Sequence, residues 1–421
     1  MIDNPAGRAE ARPSAFASAN DPAGARSYIV YFVAGERSGD NHGAALLKAL
    51  RTRAPKLQFL GRGGPQMRAI AGAKFRDWID DTAVVGLWEV IRRYPFFRKQ
   101  FQATISEIDA ARPNAVVLID YPGFNLRLAR ALHAKFSELK IIYYISPQVW
   151  AWNRRRVSQM AQSIDLMLCI FPFEPELYQE SGLRAIFVGH PMTSVSSSEN
   201  AAPARSAESS DKAFAQTPPH PSARNDNLIA LFPGSREREV KKIFPVMREA
   251  AIELGHKNPY LRFAVSAASE PLAELIRANL HGKYATGKFS IIKGEARQLM
   301  ARANVGMVAS GTATLEAVLS RLPFVLIYRV AWLTYLAARL VVKIKYLGMP
   351  NVLAGREIVP EFIQHRAQPP AIAAAVARLL TDKSERARML SDFAGVAQKL
   401  VCGEAELNAA SAIITELCPA G

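Results

Sequence analysis

Short apolar runs recur along this chain in alternation with stretches that have the spacing of an amphipathic helix. SYIVYFVAG (27–35) precedes HGAALLKALR, and NAVVLID (114–120) precedes NLRLARALHAKF. KIIYYIS, DLMLCIF and RAIFVG continue the series. Continuous apolar runs of this length are buried on both faces, and alternation with helices makes them strands of a doubly wound parallel sheet. The series stops near GHPM (189–192). TSVSSSENAAPARSAESSDKAFAQTPPHPSARND (193–226) follows, nearly free of large apolar residues and rich in Ser, Ala and Pro. That is the composition of a flexible insertion or linker. A second series then opens: NLIALF, LRFAVSAA, FSIIKG, NVGMVAS and PFVLIYRV.

The chain is therefore predicted to be α/β, with two doubly wound domains. The expected divisions are a disordered tail (1–26), an N-terminal domain (27–192), the insertion (193–226), a second domain (227–365) and C-terminal helices (366–421). At 421 residues each domain is large enough to bury its own core. Cys169, Cys402 and Cys418 show no paired spacing, so neither a disulfide framework nor a metal site is expected. The first residues lack the apolar segment of a secretory signal, and no uninterrupted apolar stretch is long enough to span a bilayer. A net charge of +16 calls for an anionic partner: nucleic acid, anionic lipid or a phosphorylated substrate.

The junctions between runs and helices carry the chemistry. VASGTATLEAVL (308–319) passes from strand to helix through a turn with almost no side-chain bulk. Unpaired N–H groups at a helix start attract an anion, so Ser310, Gly311, Thr312 and Thr314 suit a phosphate; a plain capped helix is the alternative. Glu316, one turn on, either favours the helix dipole or accepts hydrogen bonds from sugar hydroxyls. LFPGSREREVKK (231–242) repeats the design, with Gly234 in the turn, Ser235 as a cap and Arg236 placed to clamp a phosphate. In LIDYPGFN (118–125), Asp120 ends an apolar strand, where ligands bind in open α/β sheets. It serves either as a general base or as the cap of the following helix. AGERSGDNHGAALL (34–47) adds Glu36 and Asp40 but matches neither a P-loop nor a dinucleotide fingerprint. LGRGGPQMRA (60–69) reads as a tight turn with exposed amides, and SPQVWAWNRRR (146–156) sets Trp150 and Trp152 beside arginines.

GERSGDNHGAALLKAL, LGRGGPQM, LIDYPGFNLRLA, SPQVWAW, FPFEPELY, VGHPM, LFPGSREREV, SGTATLE and PNVLAGREIVPE occur in this order along 28–365. In that set and order the chain resembles the lipid-A-disaccharide synthase family. Arg37, Gly123 and Gln148 stand where the family pattern has Ala, Asp and Ser. The resemblance implies a GT-B glycosyltransferase, with two Rossmann-like domains facing a central cleft. It implies an inverting transfer from UDP-2,3-diacylglucosamine to 2,3-diacylglucosamine 1-phosphate, giving the β(1→6) lipid A disaccharide 1-phosphate and UDP, with no metal or other cofactor. Asp120 becomes the expected base, with Glu36 and Asp40 as the other carboxylates. The two bare turns become the UDP site, with Glu316 on the ribose, and Asn351 and Arg356 are expected in a loop that closes on the donor. A nucleic-acid-binding protein and another enzyme of the same fold, such as a UDP-sugar epimerase, are the competing readings; the family pattern implies no nucleic acid partner.

Both implied substrates carry acyl chains, so a cytoplasmic enzyme must reach the cytoplasmic face of the inner membrane as a peripheral protein. GLWEVIRRYPFFRKQF (86–101) interleaves Trp88, Phe96 and Phe97 with Arg98 and Lys99, a pattern suited to anionic head groups. VAWLTYLAARLVVKIKYLG (330–348) carries Trp332, Tyr335, Arg339 and Lys343 on one helical face, suited either to the bilayer surface or to a homodimer interface.

Overall fold

The computed structural model describes residues 28–79, 94–152, 155–193, 224–280, 288–331 and 345–418. The chain divides into two compact units: residues to Ser194 together with those from Cys402, and Val195–Val401. The first unit alternates β1 (Ile29–Ala34), α1 (Arg37–Arg53), β2 (Gln58–Gly63), α2 (Pro65–Ala71), β3 (Phe75–Asp77), α3 (Tyr94–Ala111), β4 (Ala115–Ile119) and α4 (Pro122–Lys135). It continues with β5 (Lys140–Tyr144), α5 (Val149–Trp152), α6 (Arg155–Ala161), β6 (Leu166–Cys169), α7 (Glu174–Gln179) and β7 (Ala185–Phe187). Its sheet has the order β3-β2-β1-β4-β5-β6-β7, with neighbours parallel. Alternate residues serve the two faces. Tyr31, Val33, Val116 and Leu118 fill one core, while Val30, Phe32, Val117 and Ile119 fill the other.

Two buried polar groups fix how the helices sit. Asp40, on α1, accepts hydrogen bonds from the backbone N–H groups of Gly64, Gln66 and Met67 at 2.9–3.0 Å, and so caps α2 from a neighbouring helix. A Cβ on Gly64 would lie 2.5 Å from that carboxylate, which is why a glycine stands there. The turn expected to expose amides is thus a strand and a helix start whose amides are occupied. Arg62, on β2, is fully buried, with two nitrogens on Glu107 of α3 at 2.6 and 2.8 Å. The Tyr31 hydroxyl donates to the same carboxylate at 2.6 Å, so α3 is fastened to the sheet by a satisfied charge pair.

The second unit contains β8 (Asn225–Phe232), α8 (Glu237–Lys257), β9 (Arg262–Ala267), α9 (Glu270–Asn279), β10 (Phe289–Lys293), α10 (Ala296–Arg302), β11 (Ala303–Ala309), α11 (Ala313–Leu319) and β12 (Phe324–Tyr328). Then come α12 (Met349–Ala354), β13 (Glu361–Ile363), α13 (Pro369–Thr381) and α14 (Lys383–Leu400). The sheet order is β10-β9-β8-β11-β12-β13, again with parallel neighbours. Arg224 donates to the carbonyls of Ala303 and Ser320 at 2.5 and 2.7 Å, placing one cation at the negative ends of α10 and α11.

The last helix, α15 (Ala405–Leu417), departs from the expected grouping of 366–421. Its Ala409, Ala410 and Ile413 are buried in the first unit's core, and Glu416 pairs with Arg184 at 2.6 Å. α13 and α14 remain with the second unit. Periodicity identifies the apolar face of such a helix but not the core that receives it.

Candidate active site

In a doubly wound sheet, ligands bind beyond the carboxyl ends of the strands, where the strand order reverses. In the first unit that point lies between β1 and β4, whose last residues, Ala34 and Ile119, are register partners. The next residues are Gly35 and Glu36 on one side and Asp120 and Tyr121 on the other. Asp120 and Tyr121 both adopt left-handed backbone conformations, with φ of +46° and +52°. Two such non-glycine residues in succession store strain that the surroundings must hold. The Asp120 N–H donates to the Tyr144 carbonyl at 2.9 Å. Its carbonyl accepts from the Tyr143 hydroxyl at 2.6 Å and the Asn125 amide at 2.8 Å. The Tyr121 ring lies over Gly35, where any Cβ would be 2.2 Å from a ring carbon.

This geometry sets the chemistry of the Asp120 carboxyl. Burial, and secondarily the Glu36 carboxylate, push its pKa up to about 6, against the pull of the Tyr121 N–H. A carboxylate poised there retains its ionised form at neutral pH with a raised proton affinity, as a general base requires. Glu36 is exposed, while Asp40 faces α2 with both oxygens in the cap described above. Asp40 is therefore corrected from a candidate base to a buried structural cap.

In the second unit the strand order reverses between β8 and β11, which are in register at Phe232 and Val308. The two bare turns, at 233–236 and 310–314, therefore lie side by side beyond the same strand pair. Among the described residues, the N–H groups of Gly311, Thr312 and Ala313 donate to no protein acceptor. Gly311 and Thr312 are exposed and Ala313 is half-buried, so three N–H groups without a protein acceptor stand at the start of α11. The Ser310 N–H is bound to the Ile327 carbonyl at 3.1 Å. Both the N–H and the hydroxyl of the buried Thr314 go to the Gly311 carbonyl, at 3.1 and 2.7 Å. Of the expected residues, Gly311 and Thr312 keep N–H groups without a protein acceptor, Ser310 and Thr314 do not, and Ala313 joins the first two. Glu316 is half-buried in the first helical turn, its pKa raised by burial against the opposing charge of Arg297.

The neighbouring turn differs from expectation in its cap. Arg236, not Ser235, is the N-cap of α8, and Glu239 accepts the N–H groups of Ser235 and Arg236 at 3.2 and 3.3 Å. Gly234 adopts φ +115°, and the same carboxylate lies 2.5 Å from where a Cβ would be, so angle and space both call for a glycine. The Arg236 guanidinium is 72% exposed and, among the described residues, is held by Glu239 alone, at 3.2 Å, so it can reach an anion beside the turn.

Asn351 and Arg356 do not form a loop over this site. Asn351 is fully buried in α12; its oxygen accepts the N–H groups of Ile358 and Val359, and its amide donates to Val359 and Glu361. Arg356 pairs with Asp392 on α14. Both fix the fold of PNVLAGRE, a network invisible in the motif alone. Trp88 and the aromatic and basic residues of 332–344 lie outside the described residues. Phe97 and Phe101 pack against the first unit's core, which removes Phe97 from the exposed stripe. Tyr94, Arg98 and Lys99 are exposed, and Phe96 is half-buried.

Glu174 is the group that sequence reasoning passed over. FPFEPELY marked it only as part of a motif, yet it is fully buried and bonded to Trp150 and Phe171. A carboxylate followed by proline after an apolar strand was the available signal.

A family model described as lipid-A-disaccharide synthetase matches residues 30–412. Lipid-A-disaccharide synthase 1 of Legionella pneumophila (strain Paris) is 37% identical over 388 residues, covering 92% of this chain and 97% of that protein. A solved structure of a putative UDP-N-acetylglucosamine 2-epimerase from Listeria monocytogenes superposes with a TM-score of 0.60 at 13% identity, covering 94% of this chain and 98% of that one. The calicheamicin glycosyltransferase superposes with a TM-score of 0.52 at 14% identity, covering 94% and 100%. The two structures share the fold: two Rossmann-like domains built on parallel sheets.

Proposed function

The chain belongs to the lipid-A-disaccharide synthase family, and we propose that its two switch points divide the work of a single glycosyl transfer. The enzyme forms the lipid A disaccharide in lipid A biosynthesis. It joins UDP-2,3-diacylglucosamine to 2,3-diacylglucosamine 1-phosphate through a β(1→6) bond and releases UDP. The observation that carries the division of labour is positional. Motifs far apart in sequence meet at the reversal of strand order in each sheet, a carboxylate in the first and a bare turn in the second.

In the first unit, Asp120 accepts the proton of the acceptor's 6-hydroxyl as that oxygen attacks the anomeric carbon. The bond from that carbon to the UDP oxygen breaks on the opposite face, so the configuration inverts. The bonding electrons leave with UDP, whose added charge needs partners fixed in advance. In the second unit, the N–H groups of Gly311, Thr312 and Ala313 and the Arg236 guanidinium supply them, and Glu316 accepts the ribose hydroxyls. The test is to incubate the purified protein with both substrates and read the product by mass spectrometry. A disaccharide 1-phosphate formed in step with UDP release is the expected result; UDP release without a disaccharide would contradict the reading.

Acylated substrates lie in a bilayer, and among the described residues no helix is long and apolar enough to cross one. We infer that the enzyme reaches them as a peripheral protein, and the cytoplasmic face of the inner membrane is the location proposed for it. The excess of positive charge and the start of α3 favour anionic lipid, each surface Lys or Arg adding about 1 kcal/mol. Replacing Tyr94, Phe96, Arg98 and Lys99 with Ser, which spares the core-packed Phe97, is expected to release the protein from anionic vesicles in a sedimentation assay without changing UDP binding. Complete co-sedimentation of that variant would remove α3 from the membrane contact.

A further inference from the structure

Glu174 is a fully buried carboxyl that neither switch point uses. It opens α7, and its two oxygens serve two different segments. One accepts the Trp150 indole N–H at 3.2 Å, on the short α5 that follows β5; the other accepts the Phe171 N–H at 3.1 Å, in the loop after β6. The Tyr178 hydroxyl holds the first segment again, donating to the Pro147 carbonyl at 3.0 Å. At the base of that segment Ile145 adopts φ +66°, a left-handed conformation unusual for a β-branched residue. The segment from Ile145 to Trp150 is therefore fastened at several points, and it leaves the strand next to β4, beside Asp120.

Trp150 is held by its polar edge and packs edge-on against Phe173, with ring centroids 5.1 Å apart. It remains only half-buried, so part of a held aromatic surface stays open on the segment that follows β5, the strand next to the one that ends at Asp120. A pyranose ring presents C–H groups on one face and hydroxyls around its rim, and a fixed aromatic face matches the first while leaving the second free. A base also needs its hydroxyl held within hydrogen-bond reach, which a rigid platform for the ring supplies.

We propose that Trp150 is the platform on which the acceptor's glucosamine ring stacks, and that Glu174 is the positioning residue that sets it. This rests on the reading that Asp120 receives the acceptor's proton. Burial raises the Glu174 pKa to about 7, opposed by the Ser146 hydroxyl and by the N–H groups of Phe171, Trp150 and Ile170. The other titratable groups facing it are Cys169 on β6 and Tyr178 on α7, both pushed up by burial and so neutral near pH 7. The bond to the indole therefore gains and loses charge assistance around neutrality, giving a spectroscopic signature.

Steady-state kinetics and tryptophan fluorescence of Trp150→Ala, Trp150→Phe and Glu174→Gln test the proposal. Trp150→Ala is expected to raise the acceptor KM about ten-fold with the UDP-sugar KM unchanged, and Trp150→Phe to recover most of it. The two N–H groups use different oxygens, and a glutamine turns one of these into an NH2 donor facing an N–H, so Glu174→Gln is expected to raise the acceptor KM by a smaller factor. It should also abolish the fluorescence titration centred near pH 7, which Trp150→Phe lacks as well. An acceptor KM within about two-fold of wild type in a folded Trp150→Ala, beside an inactive Asp120→Asn, would overturn the platform and leave the proton-transfer reading standing. A fully active Asp120→Asn would remove the premise, and the platform with it.

Discussion

Replacing Asp120 with Asn is expected to lower turnover about 10²–10⁴-fold while leaving UDP affinity unchanged. The substitution keeps the side chain's shape, and Asn tolerates the left-handed backbone that Asp120 adopts at φ +46°. The backbone contacts to Tyr143, Tyr144 and Asn125 do not involve the carboxylate and persist in the variant. What disappears is the proton acceptor. Disaccharide formation at saturating donor, together with calorimetry of UDP binding, separates the two effects. Near-normal turnover would move the role to Glu36, the exposed carboxylate across the switch point, because Asp40 is engaged in capping α2.

The second large effect is expected at the donor turn. Arg236→Ala should reduce kcat/KM for the UDP-sugar about 10²-fold, since a charge-assisted phosphate contact strengthens as the leaving group gains charge. The fold gives little reason for indirect damage. The guanidinium is mostly exposed, and Glu239 still caps the amides of residues 235 and 236 in the variant. Glu316→Ala is expected to weaken UDP binding through the ribose while sparing the phosphate contacts. Unchanged UDP affinity in both variants would place the nucleotide elsewhere.

Both sheets were legible because parallel strands covered by helices on two faces read as uninterrupted apolar runs, and β4 and β5 are of this kind. Asp120 and the turn at 310–314 were legible for a related reason: a polar or bare residue at the end of such a run has few structural duties. The partners of buried polar groups were not. Asp40 meets amides 24 to 27 residues away, and Asn351 meets a backbone segment that folds back on it. Neither pairing leaves a periodic trace, so each residue looked available when it was already bonded. Glu174 was hidden by the same property, its two acceptor sites being directed at separate segments. Thr314 shows the local version, with a hydroxyl that closes the turn on Gly311 and is not presented to a ligand.

The pH dependence of kcat/KM for the acceptor, in the wild type and in Glu36→Gln, tests most directly whether ionised Asp120 takes the proton. Burial first and the Glu36 charge second raise the Asp120 pKa to about 6. The protonated carboxyl cannot accept a proton, so the rate constant should fall about ten-fold per pH unit below that value and level off above it. Glu36 caps α1 without a side-chain hydrogen bond, so its neutralisation removes charge without loosening the helix. The limb is then expected to move to lower pH in Glu36→Gln. A limb near pH 6 in the wild type that shifts downward in the variant agrees with Asp120 as the base; a limb unmoved by the substitution, or a flat profile from about pH 5 to 8, would contradict it.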